Sequence, residues 1–537
     1  MSDLLASLSS LPFVKIALLS SAYYVVIWNR RTLWLWWKGL TLPPGPPKQA
    51  FVGNKYQIPI KVPWLGYTSW SKIYGTSSCL SKTPQLILQS QHFKGPILSF
   101  ELFGVNGTTV VLSSAKTASD LLDARSFKYS DRPAAWMQRL AGRGRTMFWM
   151  DTDDAQFVKY RRLLHGGLSS SATKSYRPIQ VEAADVLLRG FLETPHDFVN
   201  HIRRNAVAII MKVAYGYPVA GNDDQMLAII EDAIRNNSPF FAPGKFLVET
   251  FPILRFVPAW FPGAGFKRLA KAIEKHMDPL QTVPYEWAIK NISSGEHIES
   301  YCSKHLEIED GKVLNDIATQ EAIKWTSSAL YAGGGDTVVS ALTTFILLMC
   351  NHPEVQKRAQ ADIDKVAPHR LPTLEDLDSL PYITAIVKEV VRWGPPVPLG
   401  LPHRVAEDDV YEGHFIPKNS TIVANIWAMN HDEESYPDPF KFDPDRHLGS
   451  DPQPDPFKTV FGYGRRFCPG AHFAQMSLCF NVMSILAVFD LLKPLNKDGV
   501  EVEVKDNWKT GVIMHLEPFE CRIQPRSPDH LVYLDKA

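Results

Sequence analysis

Cysteine is scarce in this sequence. Six cysteines in 537 residues, Cys79, Cys302, Cys350, Cys468, Cys479 and Cys521, are too few and too scattered for a disulfide framework. No CxxC pair occurs, which argues against a zinc ribbon or a thioredoxin-type site. Excess charge of either sign is missing as well. Lys and Arg number 57 against 56 Asp and Glu, a formal net charge of +1, so nothing in the balance favours a nucleic-acid partner. A dinucleotide or flavin fingerprint is also absent. The run Gly333–Gly335 lies in a helix-period segment and lacks the strand–turn setting that a phosphate cradle needs.

What is present begins with an apolar run. Leu11 to Trp28 is interrupted by Lys15 and a few hydroxyls and is followed by Asn29, Arg30 and Arg31. It is at the short end of a bilayer span. The arginines would hold the C-terminal side in the cytosol. A cleaved signal peptide is disfavoured by the missing basic n-region and small-residue cleavage site. Residues 1–10 then read as a short tail, 11–28 as an anchor, and 29–47 as a basic and aromatic juxtamembrane stretch ending in the stiff connector Pro43–Pro47. Residues 48–537 read as one domain, without repeats or low-complexity tracts. Helix-period segments dominate: 115–124, 183–192, 200–214, 225–236, 319–350 and 353–365. Short strand-like pieces at 97–103, 109–112 and 421–425 point to a minor sheet. The expected fold is mainly α with a small β component. Four N-x-S/T sequons, at Asn106, Asn236, Asn291 and Asn419, should carry no sugar on a cytosolic domain.

Cys468 stands apart from the other five cysteines. It lies in FGYGRRFCPG, Phe461 to Gly470, directly before an apolar helical run from His472 to Val488. A cysteine at a helix start meets backbone N–H groups and the positive dipole end, which favour thiolate. Pro469 suits a first helical turn. Gly464 and Gly470 would let backbone approach a large flat ligand, and Arg466 could pair with an anionic substituent of it. A second unusual feature is Ala332-Gly-Gly-Gly-Asp-Thr337, in the middle of a long helical segment. Each interior glycine costs a helix about 1 kcal/mol relative to alanine. Thr337 sits one turn beyond Gly333, so its hydroxyl is expected to bond that carbonyl and open a water-lined kink.

The stretch FGYGRRFCPG resembles the haem-binding loop of the cytochrome P450 family, with every signature position present. The resemblance extends over essentially the whole chain after the prolines. It implies a P450 fold with haem b as cofactor and Cys468 as the axial iron ligand, whose thiolate favours O–O cleavage. It also implies cofactor contacts from Phe461, Gly464, Arg466 and Gly470. Asp336 and Thr337 match the family's acid–alcohol pair, which relays protons during oxygen activation. Val338 stands where Thr or Ser is usual. Glu389, Arg392 and Arg446 match a buried Glu–Arg–Arg triad that supports the cysteine loop. By spacing alone, Glu389 and Arg392 would read as a solvated helix face. Phe157 to Arg161 matches Trp-x-x-x-Arg, with Phe157 in place of Trp and Arg161 retained for a haem propionate. The Pro402-His403-Arg404 segment implies one more propionate contact, from either His403 or Arg404.

The implied reaction inserts one oxygen atom of O2 into a lipophilic substrate. Electrons come from NADPH through a separate flavoprotein reductase, which alone carries the flavin. A fungal, single-pass endoplasmic-reticulum enzyme of secondary metabolism or xenobiotic oxidation is expected, partly from PAWFPGAGFKR at 258–268. Substrate contacts are expected at 147–149, 239–246, 330–334, 397–399 and 511–513. Two other readings stand beside this: a haem-thiolate isomerase or dehydratase, against which Asp336 and Thr337 argue, and a non-enzymatic haem-binding protein. One segment departs from the family pattern. Residues 76–94 separate Gly75 from Gly95 where the family shares a single glycine. They are either a lineage-specific loop or a retained intron, and Cys79 within them is assigned no role.

Overall fold

A computed structural model describes residues 35, 37–49, 52–74, 96–102, 107–221, 224–237, 246–309 and 312–535. The proposed anchor at 11–28, the segment at 76–94 and most of the substrate stretch at 239–246 lie outside them. Labelled in chain order, the elements that place the site begin with α1 (Pro63–Tyr74), β1 (Ile97–Glu101) and β2 (Thr108–Leu112). Then come α2 (Ala155–Leu168), α3 (Arg177–Glu193), α4 (Phe198–Tyr215), α5 (Ile317–Asn351), α6 (Pro353–Val366) and α7 (Pro381–Trp393). They are followed by β3 (His403–Arg404), β4 (Thr421–Ala424), α8 (Ala471–Val488), β5 (Phe489–Leu492), β6 (Trp508–Lys509), β7 (His515–Leu516) and β8 (Arg522–Pro525).

The long helix α5 organises the molecule. Asp316 caps it, its carboxylate accepting from the Thr319 amide at 2.6 Å, which satisfies one of the free amides of a helix start. Its second half is buried all round, as a helix that is apolar on every side must be. Leu342, Phe345 and Ile346 join Ile383 and Ile386 of α7 and Met483, Ile485 and Leu486 of α8 in the main core. Two described helices, α5 and α8, are long and apolar enough to cross a membrane, and 78% of each apolar window is buried inside the fold. These are core helices.

The main sheet has the order β1-β2-β4-β3, with β1 antiparallel to β2, β2 parallel to β4, and β3 antiparallel to β4. Strand alternation sorts its side chains onto two faces. Ile97, Val110, Leu112 and Ile422 pack with Leu121 and Tyr463 on one side. Leu98, Phe100, Val111 and Val423 pack with Tyr67 on the other.

The proline connector is not free. The Ser99 amide of β1 donates to the Pro44 carbonyl at 2.7 Å, and the Ser99 hydroxyl donates to that of Pro43 at 2.6 Å. Gly45 lies so close that a Cβ there would come within 1.7 Å of the Ser99 carbonyl oxygen. The connector thus docks on β1, with proline carbonyls serving as the acceptors.

Candidate functional site

The cysteine loop is built by short backbone bonds. The Cys468 amide donates to the Phe461 carbonyl at 2.8 Å, closing the turn that carries Gly464. That glycine has φ of +49°, and a Cβ there would lie 2.3 Å from the Leu122 carbonyl oxygen; only glycine fits. Helix α8 begins at Ala471 with Gly470 as its cap, so Pro469 precedes the helix and does not occupy its first turn. The thiol differs from expectation in one respect. Burial pushes its pKa up, and the Gly470 N–H and the Arg161 charge only partly offset this. Desolvation outweighs the helix start here, and an iron bound at Cys468 would favour the thiolate.

Around this loop the chain gathers cations whose side chains bond backbone carbonyls. Arg466 stacks over the Phe157 ring at 4.1 Å. It donates to the carbonyls of Ser130, Met147 and Met150. Burial lowers its pKa to about 10. Arg132, which the sequence reading missed, donates to the Leu401 and Pro402 carbonyls, both at 2.6 Å, and its buried Nε has no partner. Burial and the nearby Arg466 charge bring it down to about 9. His403 is buried beside them, its Nδ1–H donating to the Tyr129 carbonyl at 2.7 Å. Burial first, and Arg132 second, hold it well below the usual imidazole range. None of the three makes an ion pair with a carboxylate among the described residues.

Arg404 behaves differently. Its guanidinium pairs with Asp131 at 3.3 Å and Asp151 at 3.0 Å and donates to Asn419 at 2.9 Å. Of the pair His403 and Arg404, His403 lies with the cluster, whereas the Arg404 charge is paired with Asp131 and Asp151. Arg161 donates to the Phe467 carbonyl at 2.8 Å, so it grips the cysteine loop.

Behind the loop, Glu389 forms a buried hub. It accepts from Arg392 at 2.7 and 2.9 Å, from Arg446 at 3.0 Å, from His447 at 2.9 Å and from the Asp443 amide at 3.0 Å. Glu389 and Arg392 are both 0% exposed, so they are no solvated helix face. The triad is extended by His447, whose imidazole completes the cluster. Arg392 also donates to the Asn430 carbonyl at 2.8 Å, and Asn430 holds the Thr459 hydroxyl just before the loop at 2.8 Å.

On α5 the three glycines divide their work. A Cβ on Gly334 would lie 2.9 Å from Ile210 Cδ1 of α4, whereas one on Gly333 would meet nothing within 4 Å. Gly334 thus permits a close helix crossing and Gly333 faces open space, although most of its helix is buried. Thr337 donates to the Gly333 carbonyl at 2.8 Å, the bond that the spacing predicts, and the α-helix continues unbroken. Asp336 meets an unforeseen partner: its Oδ2 lies 2.9 Å from His515 Nε2 on β7. Helix α5 packs against α8, which places the Asp336–Thr337 pair and the cysteine loop on neighbouring elements.

These features fit a haem. A thiol, an open helix face at Gly333, and cations with no direct carboxylate ion pair among the described residues suit an iron, a flat macrocycle and its anionic edge.

The comparisons agree. The family model for cytochrome P450 matches residues 60–522. Cytochrome P450 monooxygenase 208 of Postia placenta is 38% identical over 90% of each chain. Tryptamine 4-monooxygenase of Psilocybe cyanescens is 36% identical, covering 91% of this chain and 94% of its own. The crystal structure of the cytochrome P450DA haem domain matches with a TM-score of 0.71 at 20% identity, over 91% of this chain and 99% of that one, a likeness of fold. With the matched loop carrying Cys468 and the matched span including every site residue above, the chain belongs to the cytochrome P450 family.

Proposed function

We propose that this haem-thiolate monooxygenase acts at the endoplasmic-reticulum surface on a lipophilic secondary metabolite or xenobiotic, drawing electrons from an NADPH-dependent flavoprotein reductase. The observation that carries the site assignment is the cation cluster of Arg132, His403 and Arg466 near Cys468, largely buried and with no side-chain ion pair to a carboxylate among the described residues. Cys468 would hold the iron, and Arg132, Arg466 and His403 the propionates. Haem, when bound, supplies the oxidising chemistry.

The chain's own residues orient, support and move protons. Glu389, Arg392, Arg446 and His447 keep the cysteine loop in place. Thr337, tied to Gly333, holds its hydroxyl toward the open face, and Asp336 is the acid beside it. Membrane association is supported by the apolar run at 11–28 and by the stretch 247–261. There Leu247, Ile253, Phe256 and Trp260 are 67 to 79% exposed, more apolar surface than a water-facing segment normally leaves uncovered.

The test uses full-length holoenzyme with reductase, NADPH and 18O2, screened against a panel of lipophilic compounds. One labelled atom in the product and one in water, both dependent on NADPH, is the expected result. Product formed by rearrangement, with neither NADPH nor O2 consumed, would support the isomerase reading instead.

A further inference from the structure

Helix α5 and the β6–β7 hairpin meet at two points, one turn apart on the helix. Ser340 donates its hydroxyl to the Met514 carbonyl. Asp336, four residues earlier and so on the same helical face, meets His515 Nε2 at 2.9 Å. The hairpin is held from its other side by the Met514 amide, which donates to the Pro396 carbonyl at 2.8 Å. The Ser340 bond and the Pro396 bond already fix the hairpin. The imidazole on Asp336 adds something that docking alone does not require: a titratable group bonded to the acid of the acid–alcohol pair.

We infer that His515 is a positioning residue for proton delivery, orienting the Asp336 carboxylate and resupplying it with protons. This rests on the role proposed above for Asp336. Nε2 is committed to Asp336, while Nδ1 makes no hydrogen bond to protein among the described residues. The ring is 28% exposed and the Asp336 side chain 49%, so neither is sealed from water. In the resupply step the imidazolium Nε2–H bond breaks and an O–H bond forms on Asp336. The neutral imidazole then regains a proton from solvent, and no electrons move. Burial alone would push the Asp336 pKa up, but the His515 bond and charge, with Arg203 of α4, bring it below the usual carboxylate range. The other charged or titratable groups near the pair are Lys509, opposite His515 in the strand register, and Tyr331, which also senses Glu231 and Arg203.

The test compares wild type, H515Q and D336N as full-length holoenzymes with reductase. The readouts are NADPH oxidation from pH 5.5 to 8.5, its solvent isotope effect, and the ring nitrogen NMR signals of the sixteen histidines. H515Q keeps a hydrogen-bond donor and loses the titration. It should slow NADPH oxidation about fivefold to tenfold, a modest part of the range of acid–base contributions. Its acid limb should move to higher pH, because Asp336 loses the His515 bond and charge that help hold its pKa down, and its isotope effect should rise. The ring signal that H515Q removes should shift in D336N. A purely structural His515 would give H515Q a wild-type pH profile and isotope effect, which overturns the inference. An unshifted ring signal in D336N also overturns it. If D336N itself leaves NADPH oxidation unchanged, the role of Asp336 fails, and the inference fails with it.

Discussion

Replacing Glu389 with alanine should cripple the molecule from a position that touches no ligand. The side chain accepts five hydrogen bonds, and its removal leaves Arg392, 0% exposed, and Arg446, 8% exposed, without their shared anion. Breaking a buried pair in this way costs about 3–5 kcal/mol, because the remaining charge stays desolvated. Unfolding entropy of about 2.1 cal/mol/K per residue gives about 1.1 kcal/mol/K for a chain of 537 residues. The expected fall in Tm is therefore about 3–5 °C, read by thermal melts of the holoenzyme. Haem content at equal protein should fall in parallel. The neighbouring Lys388–Asp455 pair, 2.8 Å apart and part-exposed, is the control: K388A should cost less than about 1 kcal/mol. The pH dependence has a definite sign. Burial pushes Glu389 up, but His447, Arg392 and the Asp443 amide pull it further down, to about 2 against an ordinary 4.5. A depressed carboxylate stabilises the fold above its unfolded value and loses that contribution as pH falls from about 4.5 toward 2. E389A should lack this acid-side loss. An E389A variant melting within 1 °C of wild type, with full haem content, would refute the reasoning.

Two further variants probe the loop and the cation cluster. Gly464→Ala puts a Cβ 2.3 Å from the Leu122 carbonyl oxygen and 2.8 Å from Ser126 Cβ at a positive φ. It should cost at least about 1–3 kcal/mol, seen as a lowered Tm of the soluble holoenzyme. Arg132→Leu removes one charged donor from the cluster, worth about 1.5–3 kcal/mol. Haem affinity should fall roughly tenfold to a hundredfold, measured by haem transfer to an acceptor protein, while circular dichroism stays helical.

Much of this was legible in the sequence because it is local. The cysteine loop advertises itself through spacing within ten residues, and the Thr337–Gly333 bond follows from helical repeat. The helix-period segments at 200–214 and 319–350 lie inside α4 and α5, since amphipathic and continuous apolar patterns dictate burial. What stayed hidden depends on distant partners. His515 lies 179 residues from Asp336, and no short-range pattern couples a hairpin to a mid-helix acid. Arg132 reads as an ordinary loop arginine before a proline, and only its burial beside Arg466 reveals its place. Arg404 and His403 read alike in the sequence, and only the fold shows Arg404 paired with Asp131 and Asp151. The proline run reads as a connector, and its docking on Ser99 is set by a residue more than fifty positions away. The thiol sits just before a helix as the motif indicates, and its burial, which pushes its pKa up, is something no linear motif encodes.

Ligation by Cys468 is the claim on which the rest depends, and the carbon monoxide difference spectrum of the reduced protein tests it most directly. Wild type should give the band of a thiolate-ligated haem. Cys468→Ala, purified with haem supplied, should lose that band even where some haem remains in the cavity. A Cys468→Ala protein that still gives the thiolate-type band would contradict the account, because another residue would then hold the iron.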